Sequence, residues 1–560
     1  MGHNMSLSRI GWARATHSKR IIAPEVCRQA AIYLACFALV ATSQFLSRAY
    51  SLPFGGYPDE PGHYLTGVML HDYALSGFSQ NPLQFAERFY VHYPAISFGM
   101  WGPSFHVLEA IWMLAFSESR LSILLLVGAI AAGFMWCTQW MIGRIFGRAP
   151  GMLAGFLVWL IPAFQIYSSA VMADLLTGTF IFFSVYLWSR YLESGRHSMA
   201  LGFGLFATIA LLTKANAGCL ALFPIPAAVL AGRTDLLRER VFWMPAAMAA
   251  LFAGPWYAYY SWLVWNIAPI YVTPQIAYSY ASRTIALLGA ATTPFVLAGM
   301  ASGFFKTAPR TAPRALWAAA VSLTLSFIVY HCITPGGFEP RYVLMTAPWI
   351  VLLFALGVQW AATAFLPSRR AAIAVGLIAA TVIYGAVNFR VYRKPRLPYA
   401  EAARDLIPVR TAPQTIFIVS SETTPETVMV AEIAMRDRRP NHFVLRSSKI
   451  LASMNWGGDR YENKMRNDAQ IGETLRSLGV GAVIIDATPS VTPWPHHVAS
   501  RRFVSSDPEW SLTHKYQEVD GGPVVEVYAF KGVVKMPRKI DVDVRYTLRR
   551  VLSAPVGAAP

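Results

Sequence analysis

Charged side chains are scarce in this 560-residue chain, at 14% of residues, where a soluble globular protein carries about 25%. Hydrophobic residues make up 55%, aromatics 13%, and the mean hydropathy is +0.40. Such a composition excludes an ordinary soluble enzyme, a disordered chain and a collagen-like fibre. Cysteine is scarcer still. Cys27, Cys36, Cys137, Cys219 and Cys332 lie in or beside apolar runs without a CxxC pair, a usage that argues against a disulfide framework or a zinc site. No glycine-rich phosphate loop is convincing, and no internal repeat points to a transporter with inverted halves. Acids are the rarer sign, 30 against 48 Lys and Arg, for a net charge of +18. No nucleic-acid motif accompanies the surplus, which reads as basic loops facing anionic lipid head groups.

Apolar runs of helix-spanning length recur from residue 29 to residue 391. The first, Gln29 to Ser47, follows Arg9, Arg14, Lys19, Arg20 and Arg28. It is too long for a signal-peptide core and reads as a retained anchor behind a cytoplasmic segment, 1–28. Further spans are expected near 121–142, 151–169, 175–192, 198–213, 217–231, 241–263, 284–305, 315–333, 342–364 and 371–389. Pro103 to Phe116 has the length of an interfacial helix rather than a span. If it does not cross, the basic loops that hold Arg144, Arg148, Arg190, Arg233, Lys306 and Arg369 all face the cytoplasm. The positive-inside rule therefore selects about eleven spans.

The expected fold is an all-α multi-pass membrane domain over 29–391, with a large outer loop at 48–120, followed by a C-terminal α/β domain over 395–560. In that tail, 415–420, 442–446, 482–486 and 524–531 read as strands, and 425–437 and 468–478 as helices. His496 and His497 are expected at its surface. Counting spans puts the tail outside, together with Asp59, Glu60, Asp72, Glu87, Glu109, Glu118, Asp174 and Glu339.

The sharpest local pattern is Tyr57-Pro58-Asp59-Glu60-Pro61-Gly62-His63-Tyr64. Two carboxylates between prolines belong to a rigid turn, where partial burial keeps one available as a general base. The alternative is a turn that caps the helix Gly62–Leu75. Asp174 is the one acid between Glu118 and Glu193, and it too could be only a helix cap. Lys214 divides an apolar stretch at its outer apex, placed either to snorkel or to bind a lipid phosphate as a point charge. In Gly336-Gly337-Phe338-Glu339-Pro340-Arg341-Tyr342, the arginine fork and the tyrosine hydroxyl suit a phosphate, although both residue types also serve as interfacial anchors. Arg283 is a weaker candidate. His63, His71, His92 and His106 match no metal-binding spacing and read as hydrogen-bonded loop histidines.

The order of these motifs, with Trp101-Gly102-Pro103-Ser104 opening the interfacial helix and Gly143-Arg144-Ile145-Phe146-Gly147-Arg148 in a turn, resembles the GT-C polytopic glycosyltransferases. These include protein O-mannosyltransferases, the lipid A aminoarabinose transferase and bacterial galacturonosyl transferases. The likeness spans roughly 29–390. It implies a glycosyltransferase that moves a sugar from a polyprenyl-phosphate donor to a hydroxyl of a lipid, glycan or protein, with inversion. Asp59 would be the base, accompanied by Glu60, with Asp174 the second acid. Lys214, Arg341 and Tyr342 would hold the donor phosphate, and His63, Arg283 and Glu339 would line the substrate. Where the family commonly has Pro-Pro, this chain has Pro103-Ser104. No cofactor is required, and a divalent metal is possible but unsupported. The expected location is a bacterial inner membrane. Competing readings are a lipid or solute transporter and a non-catalytic envelope assembly protein.

Overall fold

The computed structural model describes residues 9–557, apart from residues 97, 264–272, 307, 309–310, 335–337, 363–368, 408–412, 455–459, 491 and 518–521. The glycine pair at 336–337 and the start of the N-terminal segment therefore lie outside the described residues.

The N-terminal two-thirds is helical. It runs α1 (Arg9–Leu46), α2 (Glu60–Leu75), α3 (Pro82–His92), α4 (Pro103–Ala115), α5 (Arg120–Phe146), α6 (Arg148–Leu160), α7 (Pro162–Tyr167), α8 (Asp174–Ser194) and α9 (His197–Leu211). Shorter helices continue to Asn388. Among the described residues, three helical stretches are long and apolar enough to cross a membrane: Pro24–Leu46, Arg120–Phe146 and Arg314–Ile333. Pro274–Ile285 and Ala290–Phe304 make a fourth if taken as one span bent by 70°. The expected count was about eleven; imino acids and glycines break several of the other apolar runs, whereas Asp174–Ser194 and Arg369–Asn388 are continuous helices. The run at 151–169 stops before Pro162, that at 217–231 restarts at Pro224, and that at 241–263 restarts at Gly254. The result is a helical membrane domain with many half-length helices packed on a few long ones.

Helix α4 matches the expected interfacial segment. Phe105, His106, Glu109 and Met113 are buried, while Val107, Ile111, Leu114 and Phe116 are exposed. An apolar flank left outward on a short helix suits the boundary of a bilayer. At its start, Ser104 N–H donates to the Leu212 carbonyl at 2.9 Å. A Cβ on Gly102 would fall 2.0 Å from that carbonyl oxygen, so only glycine permits the contact. Gly147, in the turn between α5 and α6, has φ +104°, the region that favours glycine.

The tail carries a five-stranded sheet in the order Phe443–Arg446, Thr415–Val419, Val480–Asp486, Val524–Phe530, Trp510–Gln517. The first three strands are parallel and the last two pair antiparallel. Strands at 415, 443, 480 and 524 and helices Thr423–Ala434 and Asp468–Ser477 agree with the sequence reading. The edge strand Trp510–Gln517, helix Pro495–Ser506 and the hairpin Lys539–Asp543 with Val551–Pro555 were not anticipated. His496 and His497 are buried rather than at the surface, bonded to Ser447 and Ser421 respectively. The tail docks on the 48–120 loop through Arg120 with Glu432, and through Arg446, which donates to the Pro94 carbonyl at 3.1 Å.

Candidate active site

Asp59 immediately precedes α2. It stands at the N-cap position but makes no side-chain capping bond, so the cap reading does not account for it. Its carboxylate instead accepts from Arg341 Nη1 at 2.8 Å, across 282 residues of chain. Arg341, from the helix Pro340–Leu344, lies with its guanidinium 4.1 Å from the Tyr57 ring centroid and 5.1 Å from that of Tyr342. Tyr57 donates its hydroxyl to Glu339 at 2.6 Å. The turn before α2 and the turn that opens Pro340–Leu344, far apart in sequence, thus close on each other.

Asp174 is the first residue of α8, with Ala173 as the cap. A carboxylate there benefits from the helix dipole. Lys214 Nζ donates to both of its oxygens, at 2.8 and 2.9 Å. Burial presses the Lys214 ammonium below its ordinary value, and Asp174 works against that shift. The ammonium also lies 5.0 Å from the Tyr342 ring centroid, so this second pair shares a wall with the first. Tyr342 is the aromatic divider between two carboxylate–cation pairs.

Glu60 has a different setting from its neighbour. It is fully buried, and its Oε1 accepts from Lys394 Nζ at 2.7 Å and Val171 N–H at 3.1 Å, while Oε2 accepts from Gly56 N–H at 2.8 Å. His63 is also sealed, stacked on Trp101 at 3.9 Å with Nδ1 3.0 Å from His106 Nε2. His106 bonds the Gly102 carbonyl, and burial holds both imidazoles below their ordinary values, His106 at about 4. Two neutral rings fix the tautomers: His106 donates to Gly102 and accepts from His63, leaving a lone pair on His63 Nε2. Among the described residues, that atom has no partner.

Arg283 does not join this group. It is exposed on the helix Pro274–Ile285, one turn beyond Tyr280, which packs 5.1 Å from Phe338 beside the site. Glu109 is not a solvent-facing acid. It is fully buried against Gly67, and desolvation raises its carboxyl well above the ordinary range. The sequence reading named neither Tyr57 nor Lys394 as a site residue, although Tyr57 opens the motif it singled out and Lys394 lies at the boundary between its two domains.

One group among the described residues has the spacing of a metal site: His71, Asp72 and Glu118. Arg439 already supplies the positive charge there, with Nε 2.8 Å from Asp72 Oδ2 and a bond from Nη2 to Glu118.

Solved structures with this architecture include ArnT from Cupriavidus metallidurans in the apo state, with a TM-score of 0.58 and 12% identity over 89% of this chain and 98% of that one. The same protein bound to undecaprenyl phosphate gives 0.56 and 11%, over 88% and 98%. The Archaeoglobus fulgidus oligosaccharyltransferase in complex with Zn and sulfate gives 0.53 and 10%, over 81% and 68%. No curated protein matches by sequence. The fold is thus that of the GT-C membrane glycosyltransferases. The model of the family described as dolichyl-phosphate-mannose-protein mannosyltransferase matches residues 102–259, less than a third of the chain. The matched stretch contains Asp174 and Lys214, whereas Asp59 and Arg341 lie outside it and are brought in by the fold.

Proposed function

We propose that the chain transfers a sugar from a polyprenyl-phosphate carrier to a hydroxyl acceptor at the extracytoplasmic face of a bacterial inner membrane, with inversion at the anomeric carbon. The observation that carries this reading is the pairing of two scarce acids with two scarce cations around Tyr342. A sugar-bearing polyprenyl phosphodiester has one negative charge, and the departing polyprenyl phosphate gains a second. Lys214 and Arg341 then stabilise charge that grows as the sugar–phosphate bond breaks. Arg341 turns from Asp59 to the phosphate, and the freed carboxylate takes the acceptor's proton as the acceptor oxygen bonds the anomeric carbon. Tyr342 offers its hydroxyl to the same phosphate, while Tyr57 and Glu339 hold Arg341 in place. A relative of the same fold bound to undecaprenyl phosphate supports the donor class. The basic loops support the orientation by the positive-inside rule.

The test is mass spectrometry of lipid and glycan extracts from cells with and without the gene. A sugar increment missing from the deletion strain and restored by the wild-type chain identifies the acceptor. Asp59→Asn should fail to restore it, with transfer down at least about 100-fold, while the protein remains folded and membrane-inserted. Wild-type turnover by that variant removes Asp59 as the base.

A further inference from the structure

We infer that Lys394 is a positioning residue for the transfer reaction, holding the two carboxylate turns at a fixed separation through Glu60; the inference rests on the function proposed above. Lys394 stands where the last helix of the membrane domain gives way to the tail, and its ammonium and the Glu60 carboxylate are both 0% exposed. Glu60 is bonded to Asp59 in sequence. Through Oε1 it also grips Val171 N–H at 3.1 Å, three residues before Asp174. One carboxylate therefore joins the Asp59 turn, the Asp174 loop and the entrance to the tail.

The surroundings leave this junction little freedom. Lys394 N–H donates to the Ser47 carbonyl at 3.1 Å, and Tyr392 N–H to Gln165 Oε1 at 3.3 Å, so the connecting segment is stitched to α1 and α7. The Lys394 ammonium lies 5.6 Å from the Phe54 ring centroid, and Phe54 N–H donates to Glu432 of the tail at 3.3 Å. A Cβ on Gly56 would come 3.2 Å from both Glu60 Oε2 and the Tyr392 hydroxyl, a tight approach that would press on these side chains.

A sealed ion pair fails in a characteristic way. Removing one partner leaves the other charge buried and unpaired, whereas removing both together can be nearly neutral. Lys214 and Arg341 do not touch this pair among the described contacts, so donor binding and turnover should separate. Purified protein is assayed on membranes of the deletion strain, which supply donor and acceptor, with added undecaprenyl phosphate as inhibitor. Lys394→Met should slow transfer at least about tenfold while the inhibition constant for undecaprenyl phosphate stays within about twofold. Glu60→Gln combined with Lys394→Met should recover several-fold over Lys394→Met alone, and Lys394→Arg should retain part of the rate. Wild-type turnover by Lys394→Met overturns the inference. So does parallel loss of rate and inhibitor binding that the double variant does not relieve. If the wild-type protein itself binds undecaprenyl phosphate but transfers nothing, the proposed function fails instead.

Discussion

In the tail domain, Arg502 pairs with Asp468 at 63% and 37% exposure, and Lys539 with Asp541 at 65% and 44%. Where the loops of the helical domain meet, Lys214 and Asp174 pair at 6% and 1%. The bonds are of similar length, but the surroundings are opposite. A pair in water contributes little, because solvent already satisfies both ions. A pair out of water has cost both partners their hydration, so each is intolerant of losing the other. These two tail pairs are solvated faces, unlike the sealed Arg446–Glu426 pair in the same domain; the pair at the loop junction is a commitment that the fold sustains.

The largest break in this comparison should come from Lys214→Met. It leaves Asp174 buried without its cation, a destabilisation on the order of 3–5 kcal/mol, read as a large fall in thermal unfolding temperature. Asp174→Asn combined with Lys214→Met should regain much of the stability and none of the transfer, which separates folding from chemistry.

A smaller effect is expected from pH. His63 and His106 are neutral in the folded loop and lie below their ordinary values, His106 at about 4. The unfolded chain therefore binds more protons in the interval below about 6.5. Stability is complete above that value and falls as the pH drops towards 4, by up to about 1.4 kcal/mol per pH unit for each histidine. Thermal unfolding between pH 7 and pH 5 measures the slope, and His106→Gln should flatten it. The smallest effect belongs to the tail surface: Arg502→Ala should leave both unfolding temperature and transfer unchanged.

Much of the site was legible because charge is so rare in this sequence. Asp59, Asp174, Lys214 and Arg341 each stand out against apolar neighbours, and the fold gathers all four. Glu60 was read with Asp59 because the two are adjacent, and local pattern gives no sign that its partner lies 334 residues away. For the same reason Lys394, between the expected domains 29–391 and 395–560, drew no notice in the sequence as a site residue. In the tail, buried strands showed as apolar runs, but Trp510–Gln517 is an edge strand with four consecutive exposed residues and no such run. His496 and His497 depend on serines that follow the strands Phe443–Arg446 and Thr415–Val419, a relation invisible along the chain. The span count rests on hydropathy, which adds up residues and overlooks the prolines that divide some of the runs into shorter helices.

Helix α4 is hooked by its first free amide to Leu212, two residues ahead of Lys214, while its oily flank faces away from the protein. Any displacement of that helix is therefore passed through one hydrogen bond to the segment that carries the ammonium.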